Sequence, residues 1–125
     1  MNIAVFSHCT IDSIELENSI NDKPGGPACY CSITAKKLKF DNTLYTKFGN
    51  DFPKDILLKN KIHFENALSE QPTTRFKISI NGSDRTLSLL HACESISYST
   101  PDADGVIISP VYHEISNDVY EKIKN

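Results

Sequence analysis

The sequence has no surplus of positive charge: 13 Lys and Arg stand against 16 Asp and Glu, for a formal net charge of −3. That balance gives no electrostatic basis for holding nucleic acid or an anionic membrane surface. No apolar run approaches the roughly 20 residues that a membrane-spanning helix needs. The N-terminal Met-Asn-Ile-Ala-Val-Phe lacks the basic flank and long apolar core of a secretory signal. It reads instead as a first strand, and the chain as cytosolic. The four cysteines, Cys9, Cys29, Cys31 and Cys93, include no Cys-x-x-Cys pair. A metal site at Cys29 and Cys31 lacks two further ligands at suitable spacing, so all four are expected to be reduced, small and buried. Internal repeats, low-complexity tracts and linkers are missing too.

What is present suits one domain with a real core: 125 residues, 39% hydrophobic and 23% charged. The stretch from Lys23 to Leu38 organises it. Gly25 and Gly26 come first, then Pro27, which fits the first position of a helix because its missing N–H is no loss there. Ala28, Cys31, Ala35 and Leu38 recur at three- and four-residue steps and are expected to share a face. That face is mostly small, so the helix can lie close to a sheet. The glycine pair allows close backbone approach to a polar or anionic small molecule at the positive end of the helix. Taken alone, it equally suits a tight turn before an ordinary helix.

Around this stretch the chain alternates strand and helix, the pattern of an α/β fold. Ile3 to Phe6 reads as a buried strand. Asp12 follows it, beyond the carboxyl end, where open α/β sheets bind ligands; a solvated loop carboxylate is the plainer alternative. Ile14, Leu16 and Ile20 suggest one or two short strands. Thr43 to Phe48 reads as a strand ending in Gly49-Asn50-Asp51, with Asp51 expected to cap the next helix and Pro53 just inside it. Ile62 to Phe64 is a further short strand. Thr73 to Ile80 alternates, with Phe76, Ile78 and Ile80 on one side, and Arg85 to His91 returns after Asn81-Gly82-Ser83-Asp84. Pairing apolar residues across the strands sets Ile78 opposite Leu87 and Phe76 opposite Leu89. This hairpin stands outside the strand–helix rhythm and looks like an appended sheet. Ala92 to Asp104 reads as a loop, Gly105 to Ser109 as a core strand and Ser116 to Lys124 as a helix. That gives three core strands, fewer than a doubly wound sheet normally has.

Four features in order resemble the N-terminal part of ribokinase-like (PfkB-type) carbohydrate kinases: Phe6 to Asp12, Gly25-Gly26-Pro27-Ala28, Gly49-Asn50-Asp51, and the hairpin from Arg85 through Ala92. Pro72-Thr73-Thr74, Asp84-Arg85 and Ala92-Cys93-Glu94 look closest to the inositol kinases within that family. The resemblance implies a Rossmann-like α/β core, N-terminal portion, with a small antiparallel β-sheet lid formed by residues of about 12–24 and 62–91. It implies transfer of the ATP γ-phosphoryl group, with Mg2+, to a hydroxyl of a sugar, cyclitol or nucleoside. Asp12, Gly25, Gly26, Tyr30 and Ala92 would then contact the substrate, and the lid would mediate a homodimer. Asp12 would accept hydrogen bonds from two hydroxyls.

The departures are as informative. Tyr30 stands where many sugar kinases carry a substrate-binding asparagine, which puts ribose in doubt and allows stacking on a cyclitol or base. Lys39 replaces a glycine after the helix, and Pro53-Lys54 a small residue after Gly-x-Asp. The Gly-Ala-Gly-Asp motif that carries the family's catalytic base and anion hole is missing, as is any Walker-type phosphate loop. The sequence thus reads as the acceptor-binding part of a truncated kinase, with no catalytic residue and no ATP or Mg2+ ligands of its own. The alternative is a noncatalytic small-molecule-binding or oligomerisation module that keeps the lid. His91, Cys93, Tyr112 and His113 are weaker site candidates.

Overall fold

In the computed structural model, which describes residues 1–97 and 99–124, the chain forms two four-stranded sheets. The core sheet has the order β5-β4-β1-β8, built from β1 (Asn2–Phe6), β4 (Asp41–Tyr45), β5 (His63–Glu65) and β8 (Gly105–Ile108). All its pairings are parallel. Helix α1 (Pro27–Lys37) covers one face, together with the short α2 (Asp55–Lys59). Helix α3 (Asn117–Lys124) covers the other, where Val119 packs with Ala4, Phe6, Ile96 and Ile115. A fourth core strand thus joins the expected three, because His63–Glu65 pairs with Thr43–Tyr45.

The second sheet is the lid, in the order β3-β2-β6-β7, from β2 (Thr10–Leu16), β3 (Ser19–Gly25), β6 (Thr74–Asn81) and β7 (Asp84–His91). It is mixed rather than wholly antiparallel, since β2 and β6 run parallel. Its first part spans residues 10–25, and its second starts at Thr74, with 63–65 lying in the core sheet. Ile78 lies opposite Leu87 and Phe76 opposite Leu89, the register that apolar pairing predicts. Gly82 takes φ +64° at the tip, where a side chain would be strained.

Three local expectations need correction. The stripe of α1 that is buried is Ala28, Cys29, Ser32 and Ala35. Cys31 and Leu38 turn instead toward an apolar groove of about 370 Å³ between α1 and β8. Cys9, Cys29 and Cys93 are buried free thiols, and Cys31 is half-buried. The strand expected over 43–48 ends at Tyr45, and Thr46 beyond it accepts the Cys9 amide at 2.9 Å. Asp51 does not cap α2, which starts after Lys54. Its carboxylate turns back to Thr73, accepting the amide at 3.0 Å and the hydroxyl at 2.6 Å, with Arg75 at 3.8 Å. Burial works against its charge, yet the Thr73 bonds and Arg75 hold its carboxyl below the ordinary value. Tyr98, within the expected 92–104 loop, lies outside the described residues.

Asp51 therefore joins the core to the root of β6. In urea titrations, Asp51→Ala and Thr73→Val are expected each to cost about 1–3 kcal/mol, and to be non-additive by about 0.5–3 kcal/mol in a double-mutant cycle. A pure helix-capping role for Asp51 predicts additivity.

Candidate substrate-binding site

Asp12 is the third residue of β2, not a loop residue, and so sits at the root of the lid. Its cross-strand neighbours are Lys23 on β3 and Phe76 on β6. Directly paired residues share a face, so Asp12 belongs to the face that carries Ile14, Leu16, Phe76, Ile78, Ile80, Leu87 and Leu89. The opposite face carries Ser13, Asp22, Arg75, Lys77 and Glu15. It is laced by ion pairs of Arg75 with Asp22 at 2.9 Å and of Lys77 with Glu15 at 2.9 Å. One side of the lid is thus laced by ion pairs, and the other carries an apolar band across β2, β6 and β7, with Asp12 and Lys23 at its base and Arg85 near its tip.

The Asp12 carboxylate accepts the Thr10 hydroxyl at 3.0 Å. Burial raises its pKa above the ordinary value, partly offset by that bond and by the positive charge of Arg85. Gly25, paired with Thr10, lies beneath Asp12: a Cβ there would collide with Asp12 Oδ2. Gly26 has φ +86°, and a Cβ on it would stand 2.8 Å from the His8 carbonyl oxygen. Both glycines are therefore required by close packing, and Gly26 is the N-cap that leads into α1. A carboxylate acceptor, a glycine pair and a helix N-terminus thus lie side by side.

The structure brings Asp12, Gly25 and Gly26 together. Ala92 lies just past β7, between that strand and Cys93, whose amide donates to Thr74 Oγ1 at 2.9 Å. Tyr30 is in the first turn of α1, 63% exposed, and lines the α1–β8 groove. His91 ends β7 with its Nε2 buried and unpartnered among the described residues. Tyr112 and His113 stack edge to face on the loop after β8, in a separate groove with Pro110 and Tyr120.

Sequence reasoning passed over His8, Thr10, Thr74 and Glu114. His8 is fully buried; its Nε2 lies 2.7 Å from the Glu94 carbonyl oxygen and its Nδ1 2.9 Å from the Thr74 hydroxyl. A carbonyl only accepts, so Nε2 carries the proton and Nδ1 accepts from Thr74. Burial, the largest influence, lowers the ring's pKa, against the opposing pull of Glu114 and Glu94. Glu114, also buried, accepts the His8 amide at 3.0 Å and the amides of Val111 and Tyr112. Nothing local marks the roles of His8 and Thr74, because the bonds they make join residues distant in sequence.

No protein-family model matches the chain, and no characterised protein matches it by sequence. Solved structures do match. A pyrophosphate-dependent kinase in the ribokinase family, in its sulfate complex, superposes with TM-score 0.80 at 21% identity, covering 95% of this chain and 45% of its own. The structure of such a kinase with a pyrophosphate analogue and myo-inositol gives 0.78 at 20% identity, covering 95% and 44%. Fructokinase from Halothermothrix orenii gives 0.68 at 18% identity, covering 79% and 41%. The fold is that of ribokinase-type sugar and inositol kinases, and the chain spans less than half the length of these three.

The neutral state of His8 has a measurable consequence. Below its ordinary value of 6.5, the unfolded chain protonates this ring while the folded chain resists. Stability is therefore complete above 6.5 and falls as pH drops through it toward the lowered folded value. Denaturant titrations across this range should show that fall, and His8→Gln should flatten it.

Proposed function

We propose that this chain supplies the acceptor site and lid of a kinase that phosphorylates a hydroxyl of a cyclitol or sugar, myo-inositol-like in shape. The observation that carries this is the seat of Asp12, poised over Gly25 and Gly26 at the helix N-terminus. There it can accept hydrogen bonds from two adjacent hydroxyls, while the helix end and glycine amides face the polyol oxygens. Ala92 at the lid root and the Tyr30 ring complete the contacts expected from the resemblance. Closing the apolar lid face over the polyol would exclude water before phosphoryl transfer.

The donor lies beyond this chain's chemistry. Among the described residues no cluster of His, Cys, Asp and Glu is placed to hold a metal ion. The five glycines are Gly25, Gly26, Gly49, Gly82 and Gly105, and they form no run that cradles a phosphate. The reading assigns no ATP or Mg2+ ligand and no catalytic step to these residues. The reading supplies ATP as donor. One fold neighbour, from Xylella fastidiosa, is a fructokinase with bound ATP, whereas others are described as pyrophosphate-dependent, so a test needs both donors. No helix among the described residues is long and apolar enough to cross a membrane. Reduced buried cysteines support a cytosolic setting.

Calorimetry with myo-inositol, ribose and nucleosides tests the acceptor site. Binding of a polyol is expected, with Asp12→Ala weakening it about a hundredfold, the scale of losing a charged hydrogen-bonding group. A change below threefold in a folded variant removes Asp12 from the site. The chain alone, with magnesium and either ATP or pyrophosphate, is expected to show no turnover. A rate near the roughly 1–100 per second of kinases overturns the division of labour proposed here.

The lid also supports a homodimer. Leu87 is 56% exposed and Leu16 50% exposed on the sheet face that also carries Ile14, Phe76, Ile78, Ile80 and Leu89. Analytical ultracentrifugation is expected to show a dimer that Ile78→Lys weakens at least about tenfold. A strictly monomeric chain at high concentration refutes this and favours a lid face that closes only on ligand.

A further inference from the structure

The main chain passes between core and lid four times: before β2, after β3, before β6 and after β7. All four passages meet at His8. The first is His8 itself, between β1 and β2. At the second, Gly26 packs so closely on the His8 carbonyl that a Cβ would stand 2.8 Å from it. At the third, Thr74 gives its hydroxyl proton to His8 Nδ1, at 2.9 Å. At the fourth, the Glu94 carbonyl takes the Nε2 proton, at 2.7 Å. Cys93, next to Glu94, donates its amide to Thr74 Oγ1 at 2.9 Å, which closes the bonds into a ring: Cys93 amide to Thr74 hydroxyl to imidazole to Glu94 carbonyl. Each group in the ring gives and takes in one direction, so the bonds reinforce one another. The His8 amide is fixed in turn by the buried Glu114 carboxylate, at 3.0 Å.

We propose that His8 is a positioning residue: with Thr74 it pins the lid to the core, and so sets the height of Asp12 over Gly25 and Gly26. The proposal deepens the acceptor-site reading above, and rests on it for its link to substrate. The geometry explains why the pin acts on the site rather than on stability alone. Thr74 is the register partner of Thr10, which holds the Asp12 carboxylate. Gly26, resting on the His8 carbonyl, is the other wall of the same site. A shift at this node moves both walls relative to each other. The core sheet, β5-β4-β1-β8, has its own pairings and packing and does not use the imidazole.

The test compares His8→Asn, Thr74→Val and Thr74→Ser by hydrogen exchange. Asn keeps an acceptor near the Nδ1 position but cannot reach Glu94. Val removes the hydroxyl at constant shape, and Ser restores it. Amides in β6, in β7 and at Cys93 and Glu94 are expected to exchange at least about tenfold faster in the first two variants, those of β1 and β4 unchanged, and Ser to behave as the native chain. Polyol affinity, read by calorimetry, should fall with the lid's protection and return with Ser. Exchange that rises equally in core and lid, or in neither, overturns the pin. So does a Thr74→Val chain that fails to fold while Thr74→Ser folds with a loosened lid. The exchange arm needs no ligand, so a native chain that binds no polyol refutes the acceptor-site reading and leaves the pin to be decided by exchange alone.

Discussion

The structure depends on a narrow waist. Two sheets of four strands are joined by the backbone passages at the carboxyl edge of β1, where Ile11 of β2 packs into the core cluster with Val5 and Leu44. Apolar contact of that kind does not by itself fix the lid's orientation. Directional bonds do that work instead: Thr73 to Asp51 on one side of the waist, and Thr74 to His8 on the other. These residues are adjacent, Thr73 just before β6 and Thr74 its first residue, and they send their hydroxyls to partners 22 and 66 positions away. Hydrogen bonds resist sliding and rotation in a way that apolar contact does not, because their strength falls steeply with misalignment. The lid can thus keep one face apolar and open without losing its register to the core.

Two adjacent threonines with different duties also show where sequence reasoning stops. The strand–helix alternation, the hairpin register and the helix after Gly25-Gly26 were legible because each is a short-range pattern. Period, turn chemistry and cross-strand apolar pairing are local or nearly so. Of the strand containing Asp12 only the later part was legible, from Ile14 and Leu16, since Thr10 to Leu16 mixes polar and apolar residues and is paired on both sides within a half-exposed sheet. Its partner β3, Ser-Ile-Asn-Asp-Lys-Pro-Gly, reads as turn chemistry and is held extended by pairing alone. Asp51 was misread because a carboxylate before Pro53 suits a helix cap, whereas the tertiary partner Thr73 offers two donors at once. His8 carries no local signal of its role.

The site follows the same logic. Asp12, Gly25 and Gly26 were visible as candidates because a carboxylate after a strand and a glycine pair before a helix are local signatures. The structure adds the reason for both glycines. Gly25 is small because Asp12 must lie on it, and Gly26 because His8 must. The pair is therefore less a flexible hinge than two close contacts in succession, one made with the lid and the other with the waist. Tyr30 departs from this plan. It lies one turn on, exposed, beside a groove of about 370 Å³ that also takes in Cys31 and Leu38.

That groove and the outer edge of β8 lie on the side of the core away from β5, and there the two faces of the sheet differ in a telling way. α3 shields Phe6 and its neighbours on one face, while on the α1 side Ile107 borders open apolar surface. Of the residues proposed to contact a polyol, Tyr30 alone borders that surface, and Asp12, Gly25 and Gly26 sit at the waist. Phosphoryl transfer does need more: a phosphate cradle, a metal and a base aligned with the acceptor hydroxyl. Positioning the acceptor and stabilising charge on the transferring group are separable demands, and separate chain segments can meet them. On the reading proposed above, this chain would meet the first demand through the Asp12 carboxylate at the root of the lid. Burial raises that carboxyl's pKa, and a polyol that covers it must then offset further desolvation with its own hydroxyl donors. A ligand lacking two adjacent hydroxyls leaves the carboxylate half-satisfied in a drier site, so the same burial that weakens the bare charge sharpens the choice of partner.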